Sequence, residues 1–346
     1  VPLLLDRADL PALALGGAVL GSGGGGSPHV GLIMAQRGTS WPVTVHDVTE
    51  LDPATPCIAV SYVGSTLLLE ERLPDEASFA EAIAAVGRWL GSPATAVCTL
   101  EAAGLNALTA LHLADTHQVV DADCMGRALP GLDQLSLLID QVPGLVACVP
   151  TGSGGVALLH GARPSDVERV LRSALESHGG WAGLVIGGFT VGDLATHAIR
   201  GSTARALTLG RSLTAAVDRG PAALAAELGG RLLGVGRVME VRQEPRRADV
   251  TSAQLRTSDG DVLRLVSRSE HIAALLNGEV VATSPTLVVT LDATTRAPLQ
   301  VHECTLARDL IVLTLPASPW WWQDARRAAV AGPAHWGLEG LSAWRL

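Results

Sequence analysis

The chain has 346 residues, of which 48% are hydrophobic and 17% charged, with a formal net charge of −9. It exceeds the size at which a single core stops growing, so two domains are expected, with ample apolar material for a large buried core and no compositional sign of disorder. The acidic balance, with RQEPRR (242–247) as the one basic cluster, argues against a nucleic-acid partner; the absence of lysine excludes Schiff-base, lysine-anchored pyridoxal and Walker-type nucleotide chemistry.

The opening VPLLLDRADL has no basic stretch and is broken by charges, so no signal peptide is expected, and the apolar runs are too short for a membrane span. Five cysteines, at 57, 98, 124, 148 and 304, form no CxxC pair and mostly lie in apolar runs; reduced thiols in a cytoplasmic protein are the expectation. RADLPALALGGAVLG (7–21) predicts a helix beginning near Asp9 with Pro11 in its first turn. The next segment, LGSGGGGSPHVG (20–31), satisfies GxGxxG through Gly21, Gly23 and Gly26, with Asp47 near the place of a ribose-binding acid. A dinucleotide loop needs a strand before it, and here a helix precedes it, which makes a nicotinamide dehydrogenase the weakest reading. Two readings of the loop stay open. It is a flexible connector, or the backbone of Gly23, Gly24, Gly25, Gly26 and Ser27 seats a carboxylate, imide oxygen or oxyanion, aided by the dipole of a helix over about 29–36.

Residues 57 to 123 alternate between strand and helix patterns. CIAVSYVG (57–64), TAVCTL (95–100) and HQVVDAD (117–123) predict strands; PDEASFAEAIAAVGRWLG (74–91) and LNALTALHLAD (105–115) predict helices. Such an order implies parallel strands with right-handed crossovers, whose carboxyl ends share one edge. Gly64, Glu101, Asp121 and Asp123 would then meet where open α/β sheets bind ligands, unless that edge is only a solvated rim.

VVDADCMGRALP (119–130) concentrates the chemistry. One route makes Cys124 a nucleophile, its thiolate favoured by Arg127; the other has Glu101, Asp121 and Asp123 hold a water, directly or through a divalent metal ion. On one strand the two aspartates would share a face, about 6–7 Å apart. Against these stand a packed cysteine, an Asp123 that caps the following turn, and an Arg127 paired with Asp121.

Beyond residue 165 the texture changes. SDVERVLRSALESHGG (165–180) predicts a helix with a Ser165/Glu168 capping box, and a small-residue helical region runs on to about Gly229. SDGD (258–261) and LNGE (276–279) mark hairpins between alternating strands. The expected architecture is an N-terminal α/β domain (1–165) with a mainly parallel sheet, and a C-terminal α+β domain (166–346) rich in antiparallel strands. Five of the eight tryptophans follow residue 319, including PWWW (319–322), and predict packing between domains or subunits in preference to an aromatic wall for a ligand.

GAVLGSGGGGSPHVG (17–31), YVGSTLLLEE (62–71), LEAAGLNAL (100–108), VVDADCMGRALP and AGPAHWGLE (331–339) together resemble the S-methyl-thiohydantoin desulfurase-like family. The resemblance implies a two-domain hydrolase-like protein acting on a small hydantoin-type ring, with sulfur leaving as thiol or sulfide. It points to Gly23–Gly26, Glu71, Glu101, Asn106, Asp121, Asp123 and Arg127. The chain departs from the family pattern at Gly131, where an acid is usual, at Ser269-Glu270 in place of Asn-Glu, and at Ala102 to Leu105 before Asn106. These departures keep open a non-catalytic binder or an accessory subunit of a hydantoinase- or oxoprolinase-type system. The expected partner is a small heterocycle, with neither nucleic acid nor membrane, and a homo-oligomer is compatible with the sequence.

Overall fold

The computed structural model describes residues 2–338 and 341, apart from 72–73, 75–77, 153, 162, 178 and 245–246. The first sheet is built from β1 (Leu3–Leu5), β2 (Val43–His46), β3 (Pro56–Gly64), β4 (Ala96–Thr99) and β5 (Gln118–Val120). A two-residue β6 (Ala122–Asp123) follows, then β7 (Val146–Pro150), β8 (Val156–His160), β9 (Trp181–Thr190) and the short β10 (Ile199–Arg200). The order across the sheet is β1-β2-β5-β4-β3-β9-β7-β8, with β2, β5, β4 and β3 mutually parallel and the remaining pairs antiparallel. The expected parallel edge is therefore present, with Tyr62–Gly64 and Glu101 at its carboxyl ends.

One local expectation is refined and two are corrected. LNALTALHLAD forms a 3-10 helix over Gly104–Leu113, not an α-helix. WAGLVIGGFT, within the region expected to be helical, is the interior strand β9; a strand buried on both faces shows a continuous apolar run, which conceals the period-2 signal. This strand follows residue 165 yet inserts between β3 and β7, so the first sheet draws on both sides of that position. Finally, the helix Pro164–Ser177 begins before Ser165, and Glu168 does not close a capping box: its Oε2 accepts from the Leu132 N–H at 2.7 Å.

The second sheet holds β11 (Arg231–Glu244), β12 (Arg247–Thr257), β13 (Val262–Ser267), β14 (His271–Leu276), β15 (Glu279–Thr283), β16 (Leu287–Asp292) and β17 (Asp309–Leu315). Its order is β15-β14-β13-β12-β11-β17-β16, antiparallel throughout. Asn277 and Gly278 take φ of 51° and 89° between β14 and β15, the left-handed pair that a tight hairpin turn requires. Trp320, Trp321 and Trp336 are buried, and Trp321 Nε1 donates to the Met125 carbonyl at 3.0 Å, so the tryptophan segment packs against the chain just past β6.

Candidate active site

The glycine loop connects the two sheets. The Leu10–Leu20 helix delivers the chain to Ser22, whose Oγ donates to the Val288 carbonyl and accepts from the Val288 N–H on β16. The Ser22 carbonyl accepts from His271 N at 2.8 Å, and the Gly23 carbonyl from Val301 N at 2.8 Å. Gly24 lies under Glu270: a Cβ there would sit 2.5 Å from Oε1, so any side chain at this position would displace the Glu270 carboxyl. Gly25 and Gly26, with φ of 76° and 73°, then turn along one wall of a cavity of about 110 Å³. By the measure in which one water needs about 10–15 Å³, this space admits a small ring.

Glu101, just past β4, and Asn106 form the cavity's inner end. The Asn106 amide binds the end of β3 as a peptide group would: Oδ1 accepts from Tyr62 N at 2.8 Å and Nδ2 donates to Tyr62 O at 3.0 Å. The same Nδ2 lies 3.4 Å from Glu101 Oε1, and the Leu129 N–H also donates to that carboxyl. Tyr62 is held by Phe79 and Trp181, with ring centroids 4.8 and 5.9 Å away. Glu270 approaches from the second sheet, one residue before β14, with Ser269 Oγ donating to its Oε2 at 2.8 Å.

The two carboxyls are electrostatically coupled. Burial first, and the facing Glu270 second, hold the Glu101 pKa well above the carboxylate range. Burial raises Glu270 to about 6, opposed by the Ser269 hydroxyl and by the charge of Arg127. Arg127 is fully buried and touches neither acid: Nη1 donates to the Pro285 and Thr286 carbonyls at 3.2 and 2.9 Å, and Nη2 to the His271 carbonyl at 3.1 Å. Its guanidinium ties the 127–128 segment to the second sheet and leaves a positive charge behind the acids. His271 bridges Ser267 Oγ and Thr290 Oγ1, and burial lowers its pKa to about 3, so it stays neutral.

The acid–thiol cluster lies elsewhere. The strand breaks after Val120, and β6 pairs with β10, so Asp121 and Asp123 do not share a strand face over the cavity. Asp121 accepts from the N–H groups of Thr203 and Ala204 at 2.7 and 3.3 Å, supplying from a distance the cap that Gly201 cannot give to the Ser202–Ala215 helix. Asp123 accepts from Ala102 N, Gly126 N and Ser202 Oγ at 2.8, 2.7 and 2.6 Å, and burial raises its pKa to about 6. Arg127 pairs with neither. Cys124 is buried against Cys98 and Ser136 and is not among the residues lining the cavity; contact with Cys98 and burial push its thiol well above the usual range. Replacing Cys124 with Ala is therefore expected to leave turnover close to that of the parent, and the native thiol to resist alkylation until the protein unfolds; loss of activity in the variant would return the thiol to the chemistry.

Of the remaining expected residues, Gly64 lines the cavity, whereas Glu71 is exposed at the end of the Thr66–Glu71 helix outside it. Ser27 caps the Pro28–Gly38 helix through its contact with His29 N, and Gly23 and Gly24 contribute to docking, not to lining. Among the described residues no group of three or more His, Cys, Asp or Glu side chains is arranged to hold a metal ion. No helix among them is long and apolar enough to cross a membrane.

Two family models divide the chain between them. The model of the S-Me-THD-like N-terminal domain matches residues 8–161, and that of the S-Me-THD-like C-terminal domain matches residues 162–342. The chain belongs to the S-Me-THD-like family. The likeness first seen in the glycine loop and in VVDADCMGRALP is thus borne out over nearly the whole length. An X-ray crystal structure of a protein from Chromobacterium violaceum shares the S-Me-THD-like chain's fold, with a TM-score of 0.79, 22% identity and 99% of each chain covered. No curated protein matches.

In this S-Me-THD-like chain the sequence did not single out Glu270 for chemistry; it appeared only beside the departure at Ser269. The signal was an acid followed by a histidine at the start of an apolar strand, but nothing local places that strand against the glycine loop. The buried acids also set a pH dependence. Glu270, Glu101, Asp121 and Asp123 all have folded pKa values above their unfolded ones, so the native state keeps protons that the unfolded chain releases. The Glu270 contribution alone should fall by about 2 kcal/mol as pH rises from about 4.5 through 6, while His271 and His112, lowered by burial to about 3 and about 4, contribute in the opposite sense over that range. Asp292 and Asp324, lowered to about 2 chiefly by hydrogen bonds from Thr295 and Arg326 respectively, act oppositely and lose their contribution only in stronger acid. Urea midpoints of the parent and of Glu270→Gln from pH 3 to 8 isolate the Glu270 share: the parent's stability relative to the variant should fall by about 2 kcal/mol between about pH 4.5 and 7, and a difference that does not change with pH would refute the assignment.

Proposed function

We propose that this chain is a hydrolase of a small hydantoin- or thiohydantoin-like ring that releases sulfur as a thiol or sulfide. The reading rests above all on one observation: two buried, mutually coupled carboxyls, from opposite sheets, face one cavity walled by the glycine loop. Near neutral pH such a pair carries about one proton between them, which provides a general base and a general acid at once.

For an S-methyl-thiohydantoin the steps balance simply. The Glu270 carboxylate takes a proton from water as the water oxygen bonds to the ring carbon bearing sulfur. The Glu101 carboxyl gives its proton to the departing sulfur as the C–S bond breaks and methanethiol leaves, and the remaining water proton passes from the new hydroxyl to the ring nitrogen, so the ring becomes a hydantoin. Proton return from Glu270 to Glu101 resets the pair. Asn106 and the Leu129 N–H orient the Glu101 carboxyl, and the backbone at Gly25–Gly26 lies where an oxygen of the ring would be received.

The test is a panel of S-alkyl-thiohydantoins and thiohydantoins, with thiol or sulfide release followed directly and divalent metals supplied in parallel. Release from at least one member is expected. Binding without release across the panel would favour the non-catalytic reading, and neither binding nor release would end both.

A further inference from the structure

We propose that Arg172 makes this site selective for rings carrying an anionic substituent, such as a carboxylate on the side chain of the ring. The inference rests on the assignment of the cavity as the ring-binding site. Arg172 lies on the Pro164–Ser177 helix and lines the same cavity as Glu101 and Glu270. It is the only cationic side chain among the described residues of that lining.

The helix explains its position. Val167, Leu171 and Leu175 are buried in the core, which turns the neighbouring position 172 toward the rim where Pro130 to Leu132 form the wall. The guanidinium is fixed but not saturated. Nε donates to Glu168 Oε1 at 2.6 Å, and Nη2 lies 2.6 Å from the same oxygen and donates to the Pro130 carbonyl at 3.2 Å. Glu168 is itself held through its other oxygen by the Leu132 N–H. Arginine has five N–H donors, and among the described residues Nη1 makes no hydrogen bond. The side chain remains 40% exposed, so this free end is reachable.

Charge distribution points the same way. The inner end of the cavity is acidic, with two buried carboxyls, the charge of Glu270 raising the proton affinity of Glu101. An anionic substituent would be repelled there and attracted at the rim, so a ring carrying one enters with its neutral sulfur-bearing carbon toward Glu101 and Glu270. Arg172 would thereby orient the substrate as well as select it. A planar fork with free donors favours a carboxylate over a neutral amide of the same shape.

Two matched compounds test this: an S-methyl-thiohydantoin with a carboxymethyl substituent and its carboxamide. The parent protein should prefer the acid by roughly 10- to 100-fold in kcat/KM, the range of a charge-assisted hydrogen bond. Arg172→Gln should remove that preference through KM and leave the amide nearly unchanged, with Arg172→Lys in between. Arg163→Gln, at an exposed arginine outside the cavity, should leave both compounds unchanged. Equal use of the two compounds by the parent, or equal loss in Arg172→Gln, would overturn the proposal while leaving the hydrolase reading intact. If neither compound loses sulfur, calorimetry with the corresponding hydantoin acid and amide decides the selectivity alone: tighter binding of the acid, abolished by Arg172→Gln, upholds it, and equal or absent binding overturns it.

Discussion

Glu270→Gln is expected to reduce turnover by about 10²- to 10⁴-fold, the range spanned by general acid–base groups, without unfolding the protein. Glutamine keeps the shape and can still accept from Ser269 Oγ, so the packing over Gly24 is retained. It cannot take a proton from water. The substitution should also change Glu101: the negative charge that helps raise its pKa is gone, so that pKa falls, and the high-pH limb of any residual activity moves to lower pH. Glu101→Gln should lose a similar factor by removing the proton donor, while the low-pH limb set by Glu270 stays near about pH 6, because Glu101 is already neutral where Glu270 ionises. Measuring kcat against pH for the parent and both variants decides the matter. Parent-like turnover in either variant would remove the carboxyl pair from the mechanism.

That pair was only half legible in the sequence. Glu101 could be found because strand–helix alternation from Cys57 to Asp123 is a local pattern, and parallel order places strand ends on one edge. Asp121 and Asp123 followed from the same logic and do lie beyond β5, but the pattern is silent on which way a side chain turns once a strand ends. Their partners, Thr203, Ala204 and Ser202, are some 80 positions away in the chain, and no spacing rule reaches across that gap. Glu270 was hidden for a related reason: its place depends on Ser22 hydrogen bonding to β16 and to His271, a long-range docking with no local signature. Cys124 misled because polar neighbours were taken for a polar environment. Its thiol faces Cys98 and Ser136 while the adjacent Met125 lines the cavity. The hairpin at Asn277-Gly278 was readable because its chemistry is contained within the turn itself.

Arg127 is the residue whose loss should cost the fold most. It is 1% exposed, and burial lowers its pKa to about 10, partly offset by Glu270 and Glu101, so it remains charged at neutral pH. Arg127→Met would fill much of the same volume yet leave the carbonyls of His271, Pro285 and Thr286 without their donor. It would also strip the buried acids of their counter-charge. Breaking a buried ionic network by removing one member costs about 3–5 kcal/mol, a large part of the roughly 5–15 kcal/mol that holds a domain folded. Arg127→Lys separates the two effects: it keeps a positive charge but cannot span those carbonyls with one compact ammonium group. Urea unfolding should therefore rank the parent above Lys, and Lys above Met. The Met variant should also show Glu270 titrating above about 6, because the cation that lowers it is gone. If Met proves as stable as the parent, the guanidinium does not hold the two sheets together, and Glu270 would need some other account of how it is kept opposite Glu101.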